Sequence, residues 1–327
     1  MYYLFLCVFL LAVTGLSAQI DDDRLSEVLT AAKANADSAT WVTGGGVGAD
    51  FTSLSLFNPV VGAGSNRIGF GALLSFFADR NTDNYVWTNL LSLQLAVQRI
   101  GSNDNSFEKN LDLLRYVTRI GKHTENERLD VAFDGDLRTS FLPTFEGNLL
   151  RDNGAPLLSK FFAPVTIQAG LGIDYRANKH ISLFFSPASL KWIYVGNDEI
   201  AALDVQGNRP GSRSRLDFGS NAKIIYKDVF FDERLAIISS LNLFSNYLEN
   251  PQNIDINFNA TVDLRITDGL SLNLTTETIY DDNINVIIRD NDDGMATPDE
   301  LGPSPSSTLA VLLKYNYIFN DGEDEKK

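Results

Sequence analysis

The chain has 327 residues, with 42 Asp and Glu against 27 Lys and Arg, for a formal net charge of −15 at neutral pH. That balance is unsuited to nucleic acid, whose phosphates demand a basic surface; acidic loops instead suit a solvated surface or divalent cations. The single cysteine, Cys7, lies in an N-terminal apolar run expected to be removed, so the mature chain should lack disulfides, thiolate metal sites and cysteine nucleophiles.

Met1 to Ala18 reads as a signal peptide: an apolar run from Tyr2 to Val13, then Thr14-Gly15-Leu16-Ser17-Ala18. The run is too short to span a bilayer, and cleavage is expected after Ala18, although no Lys or Arg precedes the apolar core. Residues 19–40 form a leader in which Leu25, Val28, Leu29, Ala32 and Ala36 follow Asp21-Asp22-Asp23 at helical spacing. Acidic residues suit a helix N-terminus, so a short periplasmic helix is expected, lying on a barrel's lower rim or partly closing it. A leader without a role is the alternative.

From Trp41 the period changes to two. In Ile254–Ile266 every second residue is apolar (Ile254, Ile256, Phe258, Ala260, Val262, Leu264, Ile266) and every intervening one is polar. Successive side chains of a strand point to opposite faces, so such a segment builds one apolar and one polar wall. About twelve strands are expected, with cores at 41–56, 66–78, 84–98, 108–120, 127–142, 161–176, 179–195, 215–227, 233–246, 253–267, 269–281 and 307–319. Short connections alternate with long ones, and Asp268-Gly269 is a tight-hairpin signal. No later stretch has the roughly 20 unbroken apolar residues of a membrane helix. Behind an export signal, the pattern predicts an all-β fold: a transmembrane antiparallel β-barrel over 41–319, with a charged C-terminal tail at 320–327.

Aromatic residues support two interfacial bands, because Trp and Tyr favour membrane–water boundaries. Trp41, Tyr85, Trp87, Tyr175, Tyr226, Tyr317 and Phe319 fall near the periplasmic strand ends, and Trp192, Tyr194 and Tyr280 near the outer rim. The last strand, Leu309–Phe319, alternates and ends on an aromatic residue, like the terminal strand of bacterial barrels.

Several stretches resemble one family. Trp41-Val-Thr-Gly-Gly-Gly-Val-Gly, Phe70-Gly-Ala-Leu-Leu-Ser-Phe-Phe-Ala78 and Trp87-Thr-Asn89 are similar to its opening strands. Phe161-Phe-Ala-Pro164, Gly170-Leu-Gly-Ile-Asp-Tyr175 and Leu183-Phe-Phe-Ser-Pro187 are similar to its middle. Asn242-Leu-Phe-Ser-Asn-Tyr247, Asn250-Pro-Gln-Asn-Ile-Asp255 and Ile279-Tyr-Asp-Asp282 match most sharply. Together they resemble an uncharacterised Bacteroidetes family of exported proteins, domain of unknown function 3078. The chain departs from its pattern at Phe57-Asn58-Pro59 and Gly62-Ala63-Gly64. The resemblance implies an outer-membrane barrel and supplies no activity.

Catalytic signals are sparse. The two histidines, His123 and His180, fall at periplasmic turns, and GxSxG and HExxH constellations are absent. An enzyme is not expected; a membrane hydrolase is the remaining alternative. The acidic loop at 281–293 invites a calcium reading, but counting back from Gly294 puts Arg289 at the first ligand position of the helix-loop-helix calcium template. A looser carboxylate site for calcium and a plain solvated loop remain open there.

The inward face carries the charge. With Leu129, Val131, Phe133, Leu137 and Phe141 toward lipid, Arg128, Asp130, Asp134, Asp136 and Arg138 are expected to line the lumen. Asp255, Asp263 and Arg265 join them from 253–267, with Asp217, Lys223 and Lys227 from 215–227. A barrel of about twelve strands encloses more space than a filled eight-stranded one and less than an open porin. Charges of both signs there can form cross-strand ion pairs, or line a narrow path for small polar solutes in which carboxylates favour cations. The partners expected are thus membrane lipid and a small polar solute. The second functional reading is a structural or accessory protein docking a protein partner or surface polymer through its loops at 143–160, 196–214 and 282–306.

Overall fold

Period-two alternation fixes which side of each strand is apolar, and antiparallel pairing then joins equal sides into one continuous wall. The computed structural model describes residues 41–54, 67–101, 105–152, 154–203, 208–209, 211–232, 234–267, 270–280, 285–289 and 300–320. The expected signal peptide, the 19–40 helix, Asp268-Gly269, the tail beyond Asn320 and most of the 281–293 loop lie outside these residues.

The elements are β1 (Trp41–Leu54), β2 (Arg67–Asn81), β3 (Tyr85–Ile100), β4 (Glu108–His123), β5 (Leu129–Thr139), β6 (Thr144–Phe145), β7 (Leu157–Ser159), β8 (Val165–Arg176) and β9 (Ile181–Tyr194). They continue as α1 (Asp198–Ala201), β10 (Ser214–Phe230), β11 (Leu235–Asn246), β12 (Ile254–Thr267), β13 (Leu270–Tyr280), β14 (Asn285–Arg289), β15 (Glu300–Pro303) and β16 (Ser306–Asn320). Twelve of these strands close a barrel in the order β1-β16-β13-β12-β11-β10-β9-β8-β5-β4-β3-β2. Chain neighbours pair throughout, and β1 meets β16 from Gly44↔Asn320 to Asp50↔Lys314. The fold is therefore the expected antiparallel transmembrane barrel. No described helix is long and apolar enough to cross a membrane, which says nothing about crossing by strands.

The wall is inverted relative to a water-soluble protein. Phe76, Leu91, Val131, Phe133, Leu171, Ile173, Phe185, Leu216, Ile224 and Leu264 are exposed, whereas Ser75, Ser92, Gln94, Arg115, Asp130, Asp217, Asn259 and Asn273 are buried. Leu171 is 60% exposed, against 0% for Ser75 and Asn273. Only hydrocarbon makes such an exterior favourable, since burying these polar groups would otherwise bring no compensating apolar core.

Short turns occupy one end. Asn178 Oδ1 accepts from the His180 and Ile181 amides at 2.8 and 2.9 Å, and Asn126 Oδ1 accepts from the Arg128 amide at 3.0 Å. These side chains replace ladder bonds where the chain reverses. The opposite end carries the long connections. There Ala163, Val195, Ile200 and Ala201 form a small apolar cluster with Leu157 packed on it, tying the 140–164 and 195–213 connections together. Asn197 caps α1, its Oδ1 accepting from the Ile200 amide at 2.9 Å. The Arg213 guanidinium hydrogen-bonds Asp198 and holds its carboxyl below the usual carboxylate range, so this clasp is intact at neutral pH and is lost only as pH falls through that lowered value.

Aromatic rings gather at both ends. Trp41 and Trp87 meet edge-on at 5.1 Å near the short-turn end, while Phe51, Phe70 and Phe107 form a chain near the other. Trp192 and Tyr194 stack at 5.5 Å on the loop side. Tyr280 departs from the expected band: it ends β13 and lines an internal cavity.

Two register shifts shape the β8–β11 wall, between Leu171 and Ile173 and between Gly219 and Asn221. A Cβ on Gly172 would lie 2.0 Å from the Phe185 carbonyl oxygen, and one on Gly219 would lie 1.9 Å from that of Ser245. Both approaches involve backbone, so a side chain must displace a strand. Gly172→Ala and Gly219→Ala are each expected to destabilise the barrel by about 1–3 kcal/mol, read as a lowered urea midpoint for loss of the compact, heat-modifiable gel species; an unchanged midpoint would contradict the close approach.

Candidate functional site

Register places like charges directly opposite one another on the inner wall, and neighbouring charges resolve the conflict. Arg115 of β4 faces Arg138 of β5. Two cations so paired repel, and Asp136, two residues along β5, accepts from both. Arg115 Nε lies 3.0 and 3.1 Å from its two oxygens, Arg115 Nη2 also reaches it, and Arg138 Nη2 lies at 3.1 Å. On the next rung toward the short turns Arg119 faces Asp134 at 2.9 Å and reaches Asp174 of β8 at 3.2 Å. On the third, Asp130 faces Asp174; Asp130 is bound by Arg176 at 3.1 Å and by His123 Nδ1 at 2.9 Å. The result is a three-rung ladder on β4, β5 and β8 in which each carboxylate has a cationic partner.

Beside the ladder the lumen holds a cavity of about 310 Å³. The ladder contributes Arg115, Asp134, Asp136 and Arg138; β9 contributes Phe184, Ser189 and Lys191, and β10 Asn221 and Lys223. Asn242 and Phe244 of β11, Asp255, Asn257 and Asn259 of β12 and Tyr280 complete the polar and aromatic lining. Lys191 and Asp255 approach to 3.9 Å. Their strands are separated by β10 and β11, so this pair crosses the mouth nearest the long connections. The cavity thus occupies the loop-side half of the lumen. Elsewhere on the inner wall, Ser75, Ser92, Gln94 and Asn273 are fully buried.

The lumen candidates from the sequence divide between the cavity, the wall and the rim. Asp134, Asp136, Arg138 and Asp255 line the cavity, as does Lys223. Asp130 is buried in the third rung. Asp263 accepts from the Ser271 hydroxyl at 2.9 Å and Asn273 Nδ2 at 3.1 Å, within the wall. Asp217 accepts from Arg215 and Asn246. Arg128 is an exposed turn residue one position before β5, and Arg265 is exposed near the end of β12. Neither lines the cavity, because alternation was carried past the segment where inward residues are enclosed. His123 and His180 stand near the short turns, each with Nδ1 on a carboxylate, Asp130 at 2.9 Å and Asp228 at 3.1 Å.

Arg115, Arg119, Asp174, Arg176 and Lys191 are the cavity and ladder charges that the sequence pattern did not yield. Arg115 and Arg119 share parity with Leu113 and Val117, which hides the polar face of β4. Pairing the 108–120 and 127–142 segments in register would have exposed them. Among the described residues no group of three or more His, Cys, Asp or Glu is gathered at metal-binding distance. The acidic side chains of the 281–293 loop lie outside the described set.

Residues 53–145 match the family described as "Protein of unknown function (DUF3078)". No curated protein matches the sequence. Among solved structures, the chain is similar to an outer-membrane channel from Pseudomonas putida F1, at 11% identity and TM-score 0.40 over 92% of this chain and 100% of that one. It is also similar to the translocator domain of the autotransporter NalP from Neisseria meningitidis, at 9% identity and TM-score 0.33 over 90% and 95% of the two chains. The outer-membrane channel DcaP of Acinetobacter baumannii is 6% identical, with TM-score 0.30 over 85% and 96%.

Asp136 is the residue on which the ladder turns. Asp136→Asn leaves Arg115, 2% exposed, facing Arg138 without a carboxylate between them; the expected cost is about 3–5 kcal/mol. Asp134→Asn should cost less, since Arg119 keeps Asp174. Denaturant midpoints of the two variants check the order, and equal midpoints would contradict it.

Proposed function

We propose that the protein is an outer-membrane β-barrel whose lumen binds or passes small polar solutes. The observation that carries this reading is the cavity of about 310 Å³, walled by charged and amide side chains inside a barrel with an apolar exterior. Lipid tolerates strands only in a closed sheet, and a closed sheet with a polar interior is built to hold water or solute rather than a dry core. Pockets of about this volume suit small molecules, not folded partners. The Lys191–Asp255 pair narrows the mouth, so passage is restricted to slim solutes.

A second reading, docking of a partner by the long connections, draws on the loop-side platform. Phe161 and Phe162 are exposed there at 50% and 41%, with rings 4.6 Å apart. Phe141, just beyond β5, adds a third exposed ring at 6.4 Å from Phe161. These rings flank strand ends, where an interfacial band is also expected, so the solute reading stands first. Neither reading includes a catalytic step.

Single-channel recording on the purified barrel in planar bilayers tests the proposal. Small, discrete conductance steps are expected, rising when Lys191→Ala removes the pair across the mouth. Silence in both proteins, each shown to be folded by heat-modifiable migration, would overturn passage through the lumen.

A further inference from the structure

The ion ladder leaves one described cation of the cavity unexplained. Lys223 stands on β10 opposite Phe184 of β9 and Asn242 of β11 and lines the cavity. Among the described residues it makes no hydrogen bond and no ion pair. The carboxylates whose fields reach it, Asp134 and Asp136, are already held, by Arg119 at 2.9 Å and by Arg115 and Arg138. The remaining cavity carboxylate, Asp255, has Lys191. An ammonium inside a protein wall is costly without an anion beside it, and interior charges are ordinarily paired. Lys223 is therefore a cavity cation for which the described residues supply no partner.

A second unfilled group faces the same space. Asn259 is 3% exposed; its Nδ2 donates to Asn257 Oδ1 at 2.5 Å, while its own Oδ1 has no hydrogen-bond partner among the described residues. Register runs Lys223↔Asn242↔Asn257, with Asn259 two residues further along β12. The donor and the acceptor thus lie on strands two apart, roughly 10 Å at the usual strand spacing. Buried polar groups ordinarily have hydrogen-bond partners, so this open Oδ1, facing the cavity, is a place where a bound molecule can supply one.

We infer that the cavity is a binding site for a small organic anion that also carries a hydrogen-bond donor, a hydroxy-carboxylate of sugar-acid size, with its carboxylate on Lys223 and a hydroxyl on Asn259. The inference rests on the solute reading of the lumen and reverses the charge preference expected from the sequence: the cavity carboxylates are neutralised by their partners, and the open charge is positive. Phe184 and Phe244 bound the site with their rings partly engaged by cations, Arg119 at 4.9 Å and Lys191 at 5.9 Å.

Calorimetric titration of the detergent-solubilised full barrel with gluconate, glucose and glucosamine, probes of matched size and different charge, tests this. Wild type should bind gluconate most tightly and glucosamine least. Lys223→Met should weaken gluconate roughly tenfold or more while leaving glucose within about twofold, and Lys223→Arg should retain gluconate. Wild type preferring glucosamine, no measurable gluconate binding, or gluconate affinity unchanged in Lys223→Met would each overturn the inference; the wild-type order needs no variant to fold. Gluconate binding by a barrel that shows no conductance would sink passage and leave the site standing, whereas conductance without a gluconate preference would do the reverse.

Discussion

Hydrocarbon cannot hydrogen-bond, so every amide and carbonyl of a chain crossing it must find a partner within the chain. The whole architecture follows from that constraint. Strands satisfy it only when the sheet closes, and here β1 and β16 supply the closing seam. Closure divides side chains by parity into lipid-facing and lumen-facing sets, which is why leucines and phenylalanines are exposed while asparagines and an arginine are buried. The connections at one end are short because they need only reverse direction. Those at the other are free to carry β6, β7 and α1 and the apolar cluster that unites them.

Inside, the same closure creates an electrostatic problem. A lumen twelve strands round is too narrow for its charges to be fully hydrated and too wide for apolar side chains to fill. Arg115 facing Arg138, and Asp130 facing Asp174, would each repel if left alone. Offsetting the opposite charges by one inward step along each strand turns two repulsions into a continuous ladder. That ladder makes one wall electrically quiet, and Lys223 then stands out beside it.

The barrel was legible because its signal is repeated: most of the twelve strands show the alternation, and long and short connections alternate between them. Single-strand parity also found Asp134, Asp136, Arg138 and Asp255, whose strands carry clean polar faces. It missed where local geometry intervenes. Arg115 and Arg119 are masked by inward apolar neighbours on β4. Lys191 follows the irregularity around Ser186–Ser189, where Pro187 and Ala188 are both exposed and parity changes, and no count along the chain could show that shift. Arg128 sits in a turn, where the alternation of β5 no longer applies. Tyr280 shares parity with Leu272 and Leu274 of the outer face, yet it borders the cavity at the end of β13. That arginines of β4 and β5 hold the carboxylates nearest Lys223 is a property of register between strands, invisible in any one segment.

The claim beneath all of this is that lipid covers the outer face. The three tryptophans are placed to report on it: Trp41 and Trp87 near the short turns, Trp192 near the long connections. Fluorescence of the protein in vesicles of brominated lipids measures their contact directly. Membrane placement predicts strong quenching, greater with bromines near the headgroups than at the bilayer centre. Emission that is indifferent to the brominated lipid at every depth would show that something other than hydrocarbon covers the apolar wall.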